Sequence, residues 1–152
     1  ANACFSSTTL WPLTGARRCA RKPARYSRVN PSEHHVVVLG ASPKPERYSN
    51  RAVRLLLRLG YRVTPVHPAL PVIEGVPVAK TLDDVAQPVH TLTLYVGPAR
   101  AAGAIPAVLR LAPGRVIFNP GSESPELERA LDGAGIPWRR DCTLVMLGSG
   151  TF

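Results

Sequence analysis

The chain has 152 residues, 45% of them hydrophobic, enough for one domain with a sizeable core. Its formal net charge of +9 is uneven: residues 1–32 carry six basic side chains and no acid, and the other 120 residues carry 13 basic and 10 acidic ones, giving +3. A fold that is only mildly basic argues against a dedicated nucleic-acid surface, and a chain without a run of ~18 apolar residues against a membrane span.

Residues 1–32 show no periodic apolar pattern and are dominated by Ser, Thr and Arg. They read as a disordered basic extension ahead of a folded domain at 33–152. Three origins compete for the extension: an organelle-targeting segment, a nucleic-acid-binding tail, or a misplaced start, with Val29 as the true first codon. Cys4, Cys19 and Cys142 are odd in number and widely spaced, so they suggest neither a disulfide framework nor a metal knuckle. A reducing compartment follows, and a cytoplasmic location unless the extension directs import into an organelle.

From residue 34 strands and helices alternate. His35–Leu39 reads as a buried strand. Tyr48–Leu59 reads as a helix, with Ala52, Leu55, Leu56 and Leu59 on one face and Arg51, Arg54 and Arg58 near the other. Gly60 stops it, and Tyr61–Val66 is the second strand. A connection with a short strand at Val76–Ala79 follows, with Asp83 and Asp84 as a turn or helix cap. Val89–Val96 is a long third strand. Ala99–Leu111 is helical, with a kink or late start at Pro106. Arg115–Phe118 is a short strand, and Ser124 caps a helix that has Pro125 in its first turn. Gly135 ends that helix, Ile136–Arg139 is a last parallel strand, and Cys142–Leu147 is a further strand or a short helix. This order predicts a single Rossmann-like α/β domain, an open doubly wound parallel sheet whose ligands sit beyond the carboxyl ends of the strands. Four of those ends carry unusual loops: "GASPKPERYS", "VHPAL", "YVGP" and "FNPGSES".

The first loop excludes two familiar sites. A dinucleotide fingerprint needs G-x-G-x-x-G and an acid closing the second strand, whereas this loop has only Gly40 and the strand closes on Val66-His67-Pro68. NAD is therefore expected to bind poorly. A P-loop is absent as well. The loop still suits a pyrophosphate: Gly40 permits a tight turn, Ser42 and Ser49 offer hydroxyls, Lys44 and Arg47 supply charge, and a helix N-terminus follows.

The stretch "VVVLGASPKPERYSNRAVRLLLRLGYRVTPVHP" is similar to the opening of the small stand-alone CoA-binding proteins, whose domain resembles that of the succinyl-CoA synthetase α subunit. The likeness continues through "IEGVPVAKTLDDV", "HTLTLYVGP", "RVIFNPGSESPELERALDGAGI" and "CTLVMLGSGTF". It implies coenzyme A as ligand, with the diphosphate on the first loop and further contacts from later strand ends, and it implies no established reaction. On this assignment Gly40, Ala41, Ser42, Lys44, Arg47 and Ser49 hold the diphosphate. Val66, His67 and Pro68 flank the adenosine end. Tyr95, Val96, Gly97 and Pro98 line the pantetheine path, with Asn119, Pro120 and Gly121 beside it.

No catalytic or metal set stands out. His34 and His35 read as structural or exposed, and His67 divides between ligand contact and a turn residue. Cys142 follows Arg139 and Arg140, which would favour its thiolate and, near the pantetheine thiol, a mixed disulfide; the alternative is an inert packed cysteine. Three functional readings follow: a CoA-binding carrier or sensor without catalysis, an enzyme or partner subunit acting on a CoA thioester or other nucleotide derivative, and a nucleic-acid-associated protein using the basic extension. Homo-oligomerisation is left open.

Overall fold

The computed structural model describes residues 30–152. The reading of 1–32 as an extension, with Cys4 and Cys19, lies outside the described residues except for 30–32. Strand β1 (His35–Leu39) is apolar on both faces, as a strand buried on both sides must be. Val36 and Val38 enter one apolar cluster and Val37 the other. Helix α1 (Tyr48–Arg58) buries Ala52, Val53 and Leu56 and leaves Arg51, Arg54 and Arg58 exposed. It ends at Leu59 and Gly60, whose φ of +84° suits glycine. Strand β2 (Arg62–Val66) pairs in parallel with β1.

The connection after β2 is more structured than its sequence suggests. β3 (Val72–Ile73) and β4 (Val76–Pro77) form a small antiparallel hairpin, so the short strand expected over Val76–Ala79 is shorter and has a partner. Its turn places both Glu74 and Gly75 at positive φ, +50° and +78°, as a tight two-residue hairpin requires. Asp84 completes a capping box with Thr81 around a single 3-10 turn, Leu82–Asp84.

Strand β5 (Thr91–Leu94) lies on the other side of β1 and is half the expected length. The helix expected over Ala99–Leu111 is two helices, α2 (Pro98–Gly103) and α3 (Ile105–Leu111), which meet at Ala104. Pro106, which lacks an N–H to donate, falls in the first turn of α3, where none is needed. Strand β6 (Arg115–Phe118) follows, then α4 (Pro125–Ala134), capped by Ser124 through a 3.3 Å bond from the Leu127 amide. The last strand, β7 (Trp138–Arg140), starts two residues later than expected, and α5 (Thr143–Ser149) resolves the strand-or-helix alternative for Cys142–Leu147 in favour of a helix.

All five main strands are parallel, in the order β2-β1-β5-β6-β7. The chain leaves β1 towards one edge and returns to its other side, so the order reverses at β1. α1 packs beside α5 on one face, and α3 packs beside α4 on the other. Each face has its own core. Phe118, Leu127 and Leu131 lie under α2–α4, and Val53, Leu56 and Leu147 lie under α1 and α5. This is the expected doubly wound Rossmann-like domain. No described helix is long and apolar enough to cross a membrane.

Candidate functional site

The reversal at β1 fixes where a cleft opens. α1 departs from the end of β1 on one face and α2 from the end of β5 on the other, so the space beyond β1 is left uncovered. Gly40 stands there with φ +85°. A Cβ at this position would lie 2.7 Å from Val96 Cγ1 and 2.9 Å from the Tyr95 carbonyl oxygen. Glycine is therefore required twice, by conformation and by the approach of the β5 end. The amides of Gly40 and Ala41 donate to the Val66 carbonyl, at 3.3 Å each, binding the loop to β2.

The cleft has a volume of about 850 Å³. The structure brings together along its wall Gly40, Ala41, Ser42, Lys44, Arg47 and Ser49 from the first loop. Val66, His67 and Pro68 join them from the end of β2, Tyr95, Val96 and Gly97 from the end of β5, and Pro120 and Gly121 from beyond β6. Two expected residues stand outside the lining. Pro98 opens α2 on its exposed side. Asn119 is buried and turned inward: its Nδ2 donates to Thr93 Oγ1 (2.7 Å) and the Leu94 carbonyl (3.0 Å), and its Oδ1 accepts from the Thr143 amide (2.8 Å). It fastens α5 to the sheet.

Several lining residues escaped the sequence reading. Lys80, Thr81 and Leu82 come from the segment read as a mere connection, and Arg100, Ala104 and Ala107 from α2 and α3. Arg100, one turn past Gly97-Pro98, was findable by the same strand-end logic. Lys80 was not, because only the pairing of Ala79 with Val66 brings it to the cleft. Leu82, Val96, Ala104 and Ala107 also pack on the α2–α4 core, so part of the cleft floor is exposed core surface.

The electrostatics favour an anion. Lys44, Arg47, Lys80 and Arg100 line the cleft, and none of the lining residues is a carboxylate. Among the described residues these four cations have no salt-bridge partner, whereas Arg54, Arg110, Arg139 and Arg140 pair with Glu74, Asp83, Asp141 and Glu128. The two helix N-termini nearby differ in the same sense. α4 is capped by Ser124 and carries Glu126 and Glu128 in its first turn, and the Gly121 amide already donates to Glu123 (2.9 Å). α1 has neither a side-chain cap nor an acid in its first turn. Its first amides and its positive dipole end are left for a ligand.

The first loop is braced from behind. The Lys44 amide donates to Ser42 Oγ (3.2 Å) and the Arg47 amide to the Lys44 carbonyl (3.0 Å). Asn50, fully buried, donates through Nδ2 to the Ser42 carbonyl (3.0 Å) and to Glu74 Oε1 (2.9 Å), tying the loop to the β3–β4 turn.

The groups weighed for chemistry take quiet positions. His67 accepts from the Ala69 amide through Nδ1 (3.1 Å), which leaves Nε2 as its donor. His34 and His35 are buried at the far end of the sheet. Cys142 precedes α5 and is not among the lining residues. The arginines expected to promote its thiolate are engaged by carboxylates, Arg139 with Asp141 and Arg140 with Glu128. Burial pushes the Tyr95 phenol up, because its charged form would lose the solvation it has in water, and the nearby Thr143 hydroxyl offsets this only in part. Tyr95 is thus a neutral wall, not a base.

Comparison with known proteins agrees with this geometry. The model of the CoA binding domain family matches residues 34–148. The chain belongs to that family. Its fold is shared by a Thermus thermophilus protein, 34% identical, with 82% of this chain and 96% of that one covered and a TM-score of 0.74. A conserved hypothetical protein of Pyrococcus furiosus is 26% identical over 74% of this chain and 98% of its own, with a TM-score of 0.68. The dinucleotide-forming acetyl-coenzyme A synthetase 1 of Ca. Korarchaeum cryptofilum, 24% identical, aligns over 72% of this chain and only 25% of its own, with a TM-score of 0.61, and shows the fold alone. No curated protein sequence matches the chain.

Proposed function

We propose that the chain binds coenzyme A or an acyl-CoA in this cleft and performs no catalysis of its own. The observation that carries the reading is the pairing of an uncapped α1 N-terminus with four cations that, among the described residues, have no salt-bridge partner, in a cleft lined by no described carboxylate. The diphosphate rests on Gly40, Ala41, Ser42 and Ser49, with Lys44 and Arg47 at its rim. Backbone amides and the helix dipole supply donors there, and the cations supply charge. The adenine packs on the apolar floor made by Val66, Leu82, Val96, Ala104 and Ala107, where burial of a flat aromatic ring is favourable. The pantetheine leaves past Tyr95, Gly97, Pro120 and Gly121.

The lack of catalysis rests on the lining itself. Proton transfer needs an acid or base within hydrogen-bond reach of the reacting atom. The lining holds no carboxylate and no cysteine, its one histidine, His67, gives Nδ1 to its own turn, Lys44 and Lys80 serve as charge for the phosphates, and Tyr95 is held neutral. We assign the binding unit to residues 33–152 and the protein to the cytoplasm, where Cys142 stays a thiol.

Native mass spectrometry of the purified chain with CoA tests the reading. A single added mass equal to CoA or an acyl-CoA, displaced by excess unlabelled CoA after loading with a heavy form, supports it. A chain that retains no CoA and shows no heat on titration with it would contradict it.

A further inference from the structure

We propose that Lys80 sets the ligand preference of the cleft by recognising a phosphate on the ribose of the bound nucleotide; this rests on the CoA reading above. The placement of Lys80 comes from the edge of the sheet. β2 is an edge strand, and the chain beyond the hairpin returns along it. The Ala79 amide donates to the Pro65 carbonyl (3.0 Å), the His67 amide donates to the Ala79 carbonyl (3.0 Å), and Ala79 bridges Val66 in parallel. Lys80 is the next residue, so it leaves this pairing beside His67 and enters the cleft wall there.

In nucleotide-binding sheets of this kind the residue closing the second strand meets the adenosine ribose. An acid there accepts from free ribose hydroxyls, and a cation nearby accommodates a ribose phosphate. Here the strand closes on His67, and the charge at hand is Lys80. The neighbouring acid does not neutralise it. Asp84 accepts instead from the Thr81 amide (3.0 Å) and from Thr81 Oγ1 (2.9 Å). Among the described residues Lys80 has no ion-pair partner. Lys44 and Arg47 belong to the first loop and serve the diphosphate, so the ribose phosphate has a cation of its own.

Calorimetry separates the alternatives. The whole chain, Lys80→Ala and Lys80→Arg are each titrated with CoA and with dephospho-CoA, which lacks only the ribose phosphate. The unmodified chain is expected to bind CoA at least about tenfold tighter, as one charge-assisted contact provides. In Lys80→Ala that ratio collapses towards one, and Lys80→Arg keeps it. If Lys80→Ala retains the original ratio, or the unmodified chain binds both ligands alike, Lys80 has no such role and the CoA reading stands. If the unmodified chain binds neither ligand, both fall together.

Discussion

At Gly40 one residue decides whether the first loop can close. Alanine there would need a left-handed conformation, at about 1–2 kcal/mol, and would press on the backbone of Tyr95. Gly40→Ala is expected to lower the melting temperature and to weaken CoA binding together, read by thermal denaturation and calorimetry on the same sample. On the proposed reading Arg47 acts on the ligand alone. It is exposed at the cleft rim and has no salt-bridge partner among the described residues, so Arg47→Ala should leave stability intact and weaken CoA by about 1.5–3 kcal/mol, the range for hydrogen bonds to charged groups. The affinity of the unmodified chain should also fall with added salt, because part of the contact is ionic. Equal affinities for the two proteins would remove Arg47 from the site.

His34 and His35, which are buried, and the half-buried His90 govern a different property. His34 and His90 both bond to Thr91 Oγ1, at 3.0 and 2.9 Å, and the Arg115 guanidinium donates to the same oxygen at 2.8 Å. His35 donates from Nδ1 to the Pro88 carbonyl (3.1 Å) and accepts from Thr64 at Nε2 (2.8 Å). Burial pushes all three below the ordinary imidazole value, and for His34, with His90 and Arg115 adding to the effect, to about 3. The unfolded chain therefore takes up protons as pH falls through 6.5, whereas the folded chain does not. Stability is expected to decline from pH 6.5 downwards, for His34 as far as about 3. Melting temperatures between pH 7 and 5, where most carboxylates remain ionised, should show the decline, and His34→Gln should flatten it.

The elements were legible where their period was long enough to see. α1 has eleven residues and a clean apolar face, and its bounds were found to within one residue. β3 and β4 have two residues each, too few to display alternation, and Glu74-Gly75 is not one of the usual hairpin dipeptides. Their hairpin therefore looked like a plain connection. β5 was overestimated because Val89 and Val96 are apolar for core packing although both lie outside the strand. The hairpin matters to the site through Asn50, whose side chain spans from the Ser42 carbonyl to Glu74. Asn50→Ala would leave that carbonyl without its donor, at about 1–3 kcal/mol, and would free the loop from its brace. Both the melting temperature and the affinity for CoA should drop. Loss of stability with unchanged affinity would mean that the loop keeps its shape unaided.

For the molecule as a whole, the sheet order made the site readable. Once strands and helices alternate, the strand ends must converge, and fourteen of the sixteen residues named from those loops line one cleft. Pro98 and Asn119 were named for lying in the right loops, but a loop position does not say which way a side chain turns. The family model begins at residue 34. Removing residues 1–32 is expected to leave the affinity for CoA unchanged and to lower the net charge by six; a calorimetric titration of the shortened chain against the full one measures the first, and a fall in affinity would give those residues a part in the site.

β7, finally, is a margin with consequences for solubility. Among the described residues it pairs with β6 on one side only, which leaves the amides and carbonyls of its other side open to passing chains. Such a margin invites stacking of copies edge to edge. Here it is three residues long, and two of the three are exposed arginines. A second copy would gain few hydrogen bonds on so short a strip, and would have to crowd or displace the ion pairs that Arg139 and Arg140 make with Asp141 and Glu128. A short strand edged by charged side chains is a poor template for such stacking.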